Sequence, residues 1–160
     1  MLTIIGCGNV ARSDDAVGVL IAQWLRASFG NDLPENVHIY DAGTSGMEVM
    51  FHARGATSLI LVDAVNTDVE PGAIFEVPGH ELKTPYEPNY SLHDFRWDHA
   101  LAAGRKIFRD SFPEDVTVYL IQAGSLDFGL ELSAPVKAAA DKVIARISES
   151  IHVHATHAGC

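Results

Sequence analysis

The residues of this chain best suited to chemistry are acids placed just after apolar runs. Asn9, Asp14 and Asp15 follow the run Leu2 to Gly6; Asp41, Thr44 and Ser45 follow Val37 to Tyr40; Asp63 and Asn66 follow Ser58 to Val62. If those runs are strands of one parallel sheet, their carboxyl ends face a common edge, where open α/β sheets bind ligands. His93, expected at the mouth of a helix after a proline-rich loop, falls on the same edge. Asp15, Asp63 and His93 then converge as an O, O, N set. Such a set accepts a divalent transition ion while leaving coordination positions open, and imidazole with carboxylate suits nickel, zinc or iron better than calcium. Neither a His-x-x-x-His pair nor paired cysteines accompany it, which disfavours a closed structural zinc site. Asp15 has a plainer use as a charge in the first turn of a helix. Asp63 has fewer plain uses, because a carboxylate ending a run as apolar as Leu59 to Val62 needs a partner.

The elements that must hold these groups read as successive βα units. Apolar positions at Val17, Leu20, Ile21, Trp24 and Leu25 recur at helical spacing after the first strand. A short helix is expected over Met47 to Ala53, an edge strand over Ala73 to Val77, a helix from Asp94 to about Phe108, a strand over Val116 to Ile121 and a closing helix over Pro135 to Ile147. The fold class expected is α/β: a single three-layer domain with about five strands in a mostly parallel twisted sheet, helices on both faces and one antiparallel edge strand. The domain is expected over residues 1–150, with 151–160 a tail whose His152, His154, His157 and Cys160 are donors of the kind a soft divalent metal accepts.

Composition narrows the function. The chain has 160 residues, 11 Lys and Arg against 21 Asp and Glu, and a net charge of −10. That balance argues against nucleic acid or an anionic membrane as partner. No apolar run reaches the roughly 20 residues of a membrane span, and the opening residues lack a basic n-region, so a cytoplasmic location is expected. Two familiar motifs are near misses. Gly6-Cys7-Gly8-Asn9-Val10-Ala11 has the dinucleotide form Gly-x-Gly-x-x-Ala, yet Asp14 and Asp15 put negative charge where a pyrophosphate would approach. Gly43-Thr44-Ser45-Gly46-Met47 is not the Gly-x-Ser-x-Gly of a nucleophile elbow, and Thr44 and Ser45 are better read as caps of the following helix. Cys7 reads as a small buried residue and Trp97 as core or rim packing.

Taken together, Ile5-Gly6-Cys7-Gly8-Asn9, Asp14-Asp15-Ala16-Val17-Gly18, Asp41-Ala42-Gly43-Thr44-Ser45-Gly46-Met47-Glu48, Leu61-Val62-Asp63-Ala64 and Ser91-Leu92-His93 resemble, in order and spacing, the hydrogenase maturation endopeptidases. The resemblance covers roughly residues 1 to 147. It implies a peptidase that cuts a C-terminal extension from the large-subunit precursor of a nickel-iron hydrogenase once nickel is in place. It carries the metal ligands onto Asp15, Asp63 and His93, with Asp15 where the family often has Glu and Ala42 where it often has Gly. It associates the turn Asp41 to Thr44 with substrate recognition or cleavage. The nickel is then borne by the substrate, with zinc or cadmium able to occupy the site in vitro. On this reading Asn9, Gly43, Thr44 and Ser45 contact substrate and Asp41 serves as general base. The competing readings are a nickel-binding accessory protein that docks without cutting and, further off, a dinucleotide-binding protein.

Overall fold

The computed structural model describes residues 1–82 and 96–157. Within them the chain runs β1 (Leu2–Cys7), a 3-10 turn (Ser13–Ala16), α1 (Val17–Phe29), β2 (Val37–Gly43), α2 (Gly46–Ala53), β3 (Ser58–Val65), β4 (Ile74–Pro78), α3 (Trp97–Phe108), β5 (Asp115–Gln122) and α4 (Ala134–His157). The five strands form one sheet in the order β2-β1-β3-β5-β4. β1 pairs in parallel with β2 and β3, β3 pairs in parallel with β5, and β4 closes the edge antiparallel to β5. This is the doubly covered, mostly parallel architecture that the alternation of apolar runs and amphipathic stretches implies.

The two-residue period of a strand divides the core. Leu2, Ile4, Ile60 and Val62 join Val17, Ile21 and Leu25 of α1 and Val136, Val143, Ile147 and Ile151 of α4 on one face. Ile5, Cys7, Leu59 and Leu61 join Val49 and Met50 of α2 and Trp97 and Leu101 of α3 on the other. Asp63 has the parity of Leu59 and Leu61, so the same pleat that buries those leucines carries its carboxylate to the α2/α3 side. β3 continues to Val65, which puts Asp63 inside the strand and not after it.

One expected bound is corrected and another lies outside the described residues. The closing helix does not stop at Ile147. Val143, Ile147 and Ile151, all fully buried, continue one stripe at i, i+4 spacing, and the helix runs to His157. His152, His154 and His157 therefore lie on a packed helix and not in a separate tail: His152 lies 5.7 Å from the Phe29 ring, and Asn36 donates to the His154 carbonyl at 3.2 Å. Second, α3 is described from Trp97; its expected start at Asp94 lies outside the described residues. Among the described residues no helix is long and apolar enough to cross a membrane.

Candidate functional site

The approach of α1 to the sheet builds the site. A Cβ on Gly18 would stand 2.2 Å from the Val62 carbonyl oxygen and 2.4 Å from that of Cys7, so only glycine lets the first turn of α1 rest on the ends of β1 and β3. A Cβ on Gly8 would lie 1.8 Å from the Asp15 carbonyl oxygen. The Gly-x-Gly turn is thus glycine because backbone packs on backbone there. Asp15, packed beside Gly8, puts a negative charge where a pyrophosphate would approach the turn, which argues against the dinucleotide reading.

This close packing puts Asp15 at the mouth of a cleft of about 290 Å³, lined by Cys7, Gly8 and Asp15 on one side, by Gly43, Thr44, Ser45 and Gly46 on another, and by Asp63, Arg96 and Trp97. Asp15 is half-buried and accepts the Asn9 N–H through Oδ2 at 3.0 Å. Asp63, 8% exposed, accepts the Ala64 N–H through Oδ1 at 2.8 Å and the indole Nε1–H of Trp97 through Oδ2 at 2.9 Å. Burial, and then the negative charge of Asp15, push the Asp63 carboxyl up to about 6 against the opposing pull of Ala64, Arg96 and Trp97. Burial likewise pushes the Cys7 thiol up, reinforced by the charges of Asp63 and Asp41. It stays a protonated thiol, unsuited to attack.

Of the residues expected from sequence, Asp15 and Asp63 come together in the cleft, and Gly43, Thr44 and Ser45 line it. His93 lies outside the described residues. Among those described, no three His, Cys, Asp or Glu side chains form a group able to hold a metal. Asp14 does not share the edge with its neighbour: it is fully buried, holding Gly124, Ser125 and Ser133. Asn9 does not line the cleft. Its Oδ1 accepts the Ala11 N–H at 2.9 Å, so it shapes its own turn while its backbone holds Asp15. Asp41 is exposed and engaged, Oδ1 with the Gly43 N–H at 3.0 Å and Oδ2 with Gln23 at 3.1 Å. That engagement fits a shaper of the Gly43 turn better than the expected general base. Ser45 Oγ accepts the Glu48 N–H at 3.2 Å as the N-cap of α2, a bond that does nothing to activate it as a nucleophile.

Two cleft residues are not evident from sequence. Trp97 reads there as packing, but a buried indole N–H needs an acceptor and a buried Asp63 needs a donor, and each meets the other's need. Arg96 brings a cation to a cleft whose other charged lining residues are Asp15 and Asp63; its position next to Trp97 is the only clue.

The chain matches the family model for hydrogenase maturation proteases over residues 20–150. It is 30% identical over 154 residues to the Hydrogenase 2 maturation protease of Escherichia coli K12, covering 93% of this chain and 92% of that protein. It is 29% identical over 146 residues to the hydrogenase expression/formation protein HupM of Azotobacter chroococcum, covering 90% of this chain and 68% of that one. Among solved structures, the hydrogenase maturating endopeptidase HybD from E. coli superposes with a TM-score of 0.69 at 26% identity over 93% of each chain. The HycI maturation protease from Thermococcus kodakarensis superposes at 0.70 with 24% identity over 94% of this chain and 92% of that one, a likeness of fold.

Proposed function

The chain belongs to the hydrogenase maturation protease family, and on that premise we propose that it is an endopeptidase that removes the C-terminal extension of a nickel-iron hydrogenase large-subunit precursor after nickel insertion. The observation that carries the proposal is the convergence of Asp15 and Asp63, 48 residues apart, in one cleft whose facing wall is the turn Gly43 to Gly46. The donor chemistry fits a cation that arrives with the substrate. Asp63 is buried with Asp15's charge beside it, and an incoming divalent ion relieves both the desolvation and the repulsion. His93 supplies the third ligand on this reading.

The wall explains how a peptide would lie there. Gly43 sits at φ 54° with nothing within 4 Å of where a Cβ would stand, so this part of the turn is bare backbone, open to an extended chain. The Asp41 carboxylate holds the turn through the Gly43 N–H, and the Gly43 carbonyl accepts the Gly8 N–H at 2.8 Å, which ties this wall to the one carrying Asp15. Ser45 is committed to its cap, Cys7 is held protonated and no described side chain acts as a base toward the Thr44 hydroxyl, which leaves water as the attacking group. The chemistry is then hydrolysis of a peptide bond whose carbonyl lies between the acidic wall and the glycine turn: water adds to the carbonyl carbon, the C–N bond breaks and the extension leaves as the amine.

The test is to incubate the purified chain with nickel-loaded and nickel-free precursor and follow the C-terminal extension by mass spectrometry. Loaded precursor loses the extension, and nickel-free precursor keeps it even with zinc added. Robust cleavage of a short junction peptide without nickel would overturn the substrate-borne reading. Loaded precursor that is bound but never shortened would replace the peptidase by the accessory-protein reading.

A further inference from the structure

Beyond the cleft, the loop between β5 and α4 displays Phe128 and Leu130, each 81% exposed, the most exposed large apolar side chains among the described residues. Scattered surface apolar residues are ordinary. The way this loop is held is not. The fully buried Asp14 carboxylate accepts the Gly124 N–H (2.8 Å), the Ser125 N–H (2.9 Å), the Ser133 N–H (2.7 Å) and the Ser133 hydroxyl (2.8 Å), pinning both ends. The middle forms a parallel bridge with the segment after β1: Gly129 N–H donates to the Ala11 carbonyl at 2.9 Å, and Ser13 N–H to the Gly129 carbonyl at 3.0 Å. Ser13, held at φ 49°, also donates its hydroxyl to the Asp127 carbonyl at 2.8 Å. The Arg12 guanidinium lies 4.8 Å from the Phe128 ring centroid, and Val10 beside it is 49% exposed.

A loop tied at both ends and in the middle has already lost the freedom that docking would otherwise cost, so its two apolar side chains are presented ready for contact. We infer that Val10, Arg12, Phe128 and Leu130 form a docking platform for the folded body of the precursor, an inference that rests on the function proposed above. The occupant follows from placement. None of the four residues lines the cleft, so an extension lying in the cleft leaves them uncovered. Yet Gly8 and Asp15, which do line it, flank Val10 and Arg12 on one short segment. A globular protein whose own tail enters the cleft is the partner that covers both. The exposed Asp127 and Glu131 flank Phe128 and Leu130 on the loop and Arg12 lies against the Phe128 ring, so the platform has an apolar centre and a rim of both signs, and the complementary face is apolar with a polar edge. Asp14 and Asp15 thereby divide the work: one fixes the platform, its neighbour faces the cleft.

The test is the double substitution Phe128→Ser/Leu130→Ser, with Ile107→Ser, a 57% exposed position on α3, as control. Binding to purified nickel-loaded precursor is measured by biolayer interferometry, and KM and kcat for removal of the extension by mass spectrometry. The double variant keeps the wild-type melting temperature. Its affinity falls, and its KM rises, by about tenfold or more, the scale expected for truncated interface anchors, with kcat retained. The control binds as wild type does. Equal binding of wild type and double variant overturns the platform whether or not cutting occurs; wild-type protein that binds the precursor through the platform but leaves it uncut refutes the peptidase reading alone.

Discussion

Replacing Asp63 by asparagine tests the energetic character of the site separately from its activity. The Asp63 carboxyl stands at about 6 in the folded chain and at an ordinary 3.8 when unfolded. Between those values the folded state holds a proton that the unfolded state releases, so rising pH favours unfolding. The penalty is absent below about 4, grows through the interval and is complete above about 6; its full size is 1.36 × (6 − 3.8), or about 3 kcal/mol. An asparagine in its place has no such titration. It does lose one of the two donors, Ala64 N–H or Trp97 Nε1–H, because its amide nitrogen must face one of them, at a cost of about 1–3 kcal/mol that does not vary with pH. The diagnostic is therefore the difference between variant and wild type, not either stability alone. Urea unfolding of both proteins in chelator-treated buffer at pH 4 and pH 7.5 should show Asp63→Asn gaining about 2 kcal/mol on wild type across that range. Repeating the pair in an Asp15→Asn background should shrink the gain, since the Asp15 charge is the second cause raising the group. A difference that stays flat with pH would refute the claim that burial penalises this carboxylate. One that moves in the opposite direction would mean that a cation of the protein already neutralises it.

The remaining expectations are shorter. Trp97→Phe keeps the ring's burial and removes the indole donor to Asp63; removal of the extension should slow about tenfold, with a stability loss of about 1–2 kcal/mol by urea unfolding. Asp14→Ala strands three partly buried N–H groups and the Ser133 hydroxyl and should cost about 2–4 kcal/mol near neutral pH. Burial alone would raise the Asp14 carboxyl, but the bonds from Ser133, Ser125 and Gly124 hold it below its ordinary value. That contribution is therefore present above the unfolded pKa, and the deficit of the variant should narrow as pH falls through the folded one. Gly18→Ala drives a methyl into the carbonyls of Val62 and Cys7 and should destabilise by about 2 kcal/mol or more, with activity lost as Asp15 shifts; a melting temperature equal to wild type would show that α1 can give way.

Periodicity alone was enough for the fold, because a parallel sheet covered on both faces writes itself as near-continuous apolar runs, and helices write themselves at 3.6. It also carried Asp15 and Asp63 toward one edge, since strand direction fixes where carboxyl ends lie, although Asp63 falls within β3 and not beyond it, and the order and spacing of the motifs identified the family. Local pattern could not separate Asp14 from Asp15. Adjacent acids on a 3-10 turn point different ways, and which one enters the cleft depends on Gly18 bringing the helix onto the strands and on a loop more than 100 residues away that needs an acceptor. The same holds for Trp97, whose pairing with Asp63 spans 34 residues, and for Asp41, whose carboxylate is taken by its own turn and by Gln23 of α1. The helix end was legible in Ile151 but masked by the polar His152, His154 and His157, whose neighbours exist only once α4 lies beside α1. Short-range spacing determines which elements form and which way they run. The partners of polar side chains are chosen by packing between distant segments, and only the tertiary structure brings those together.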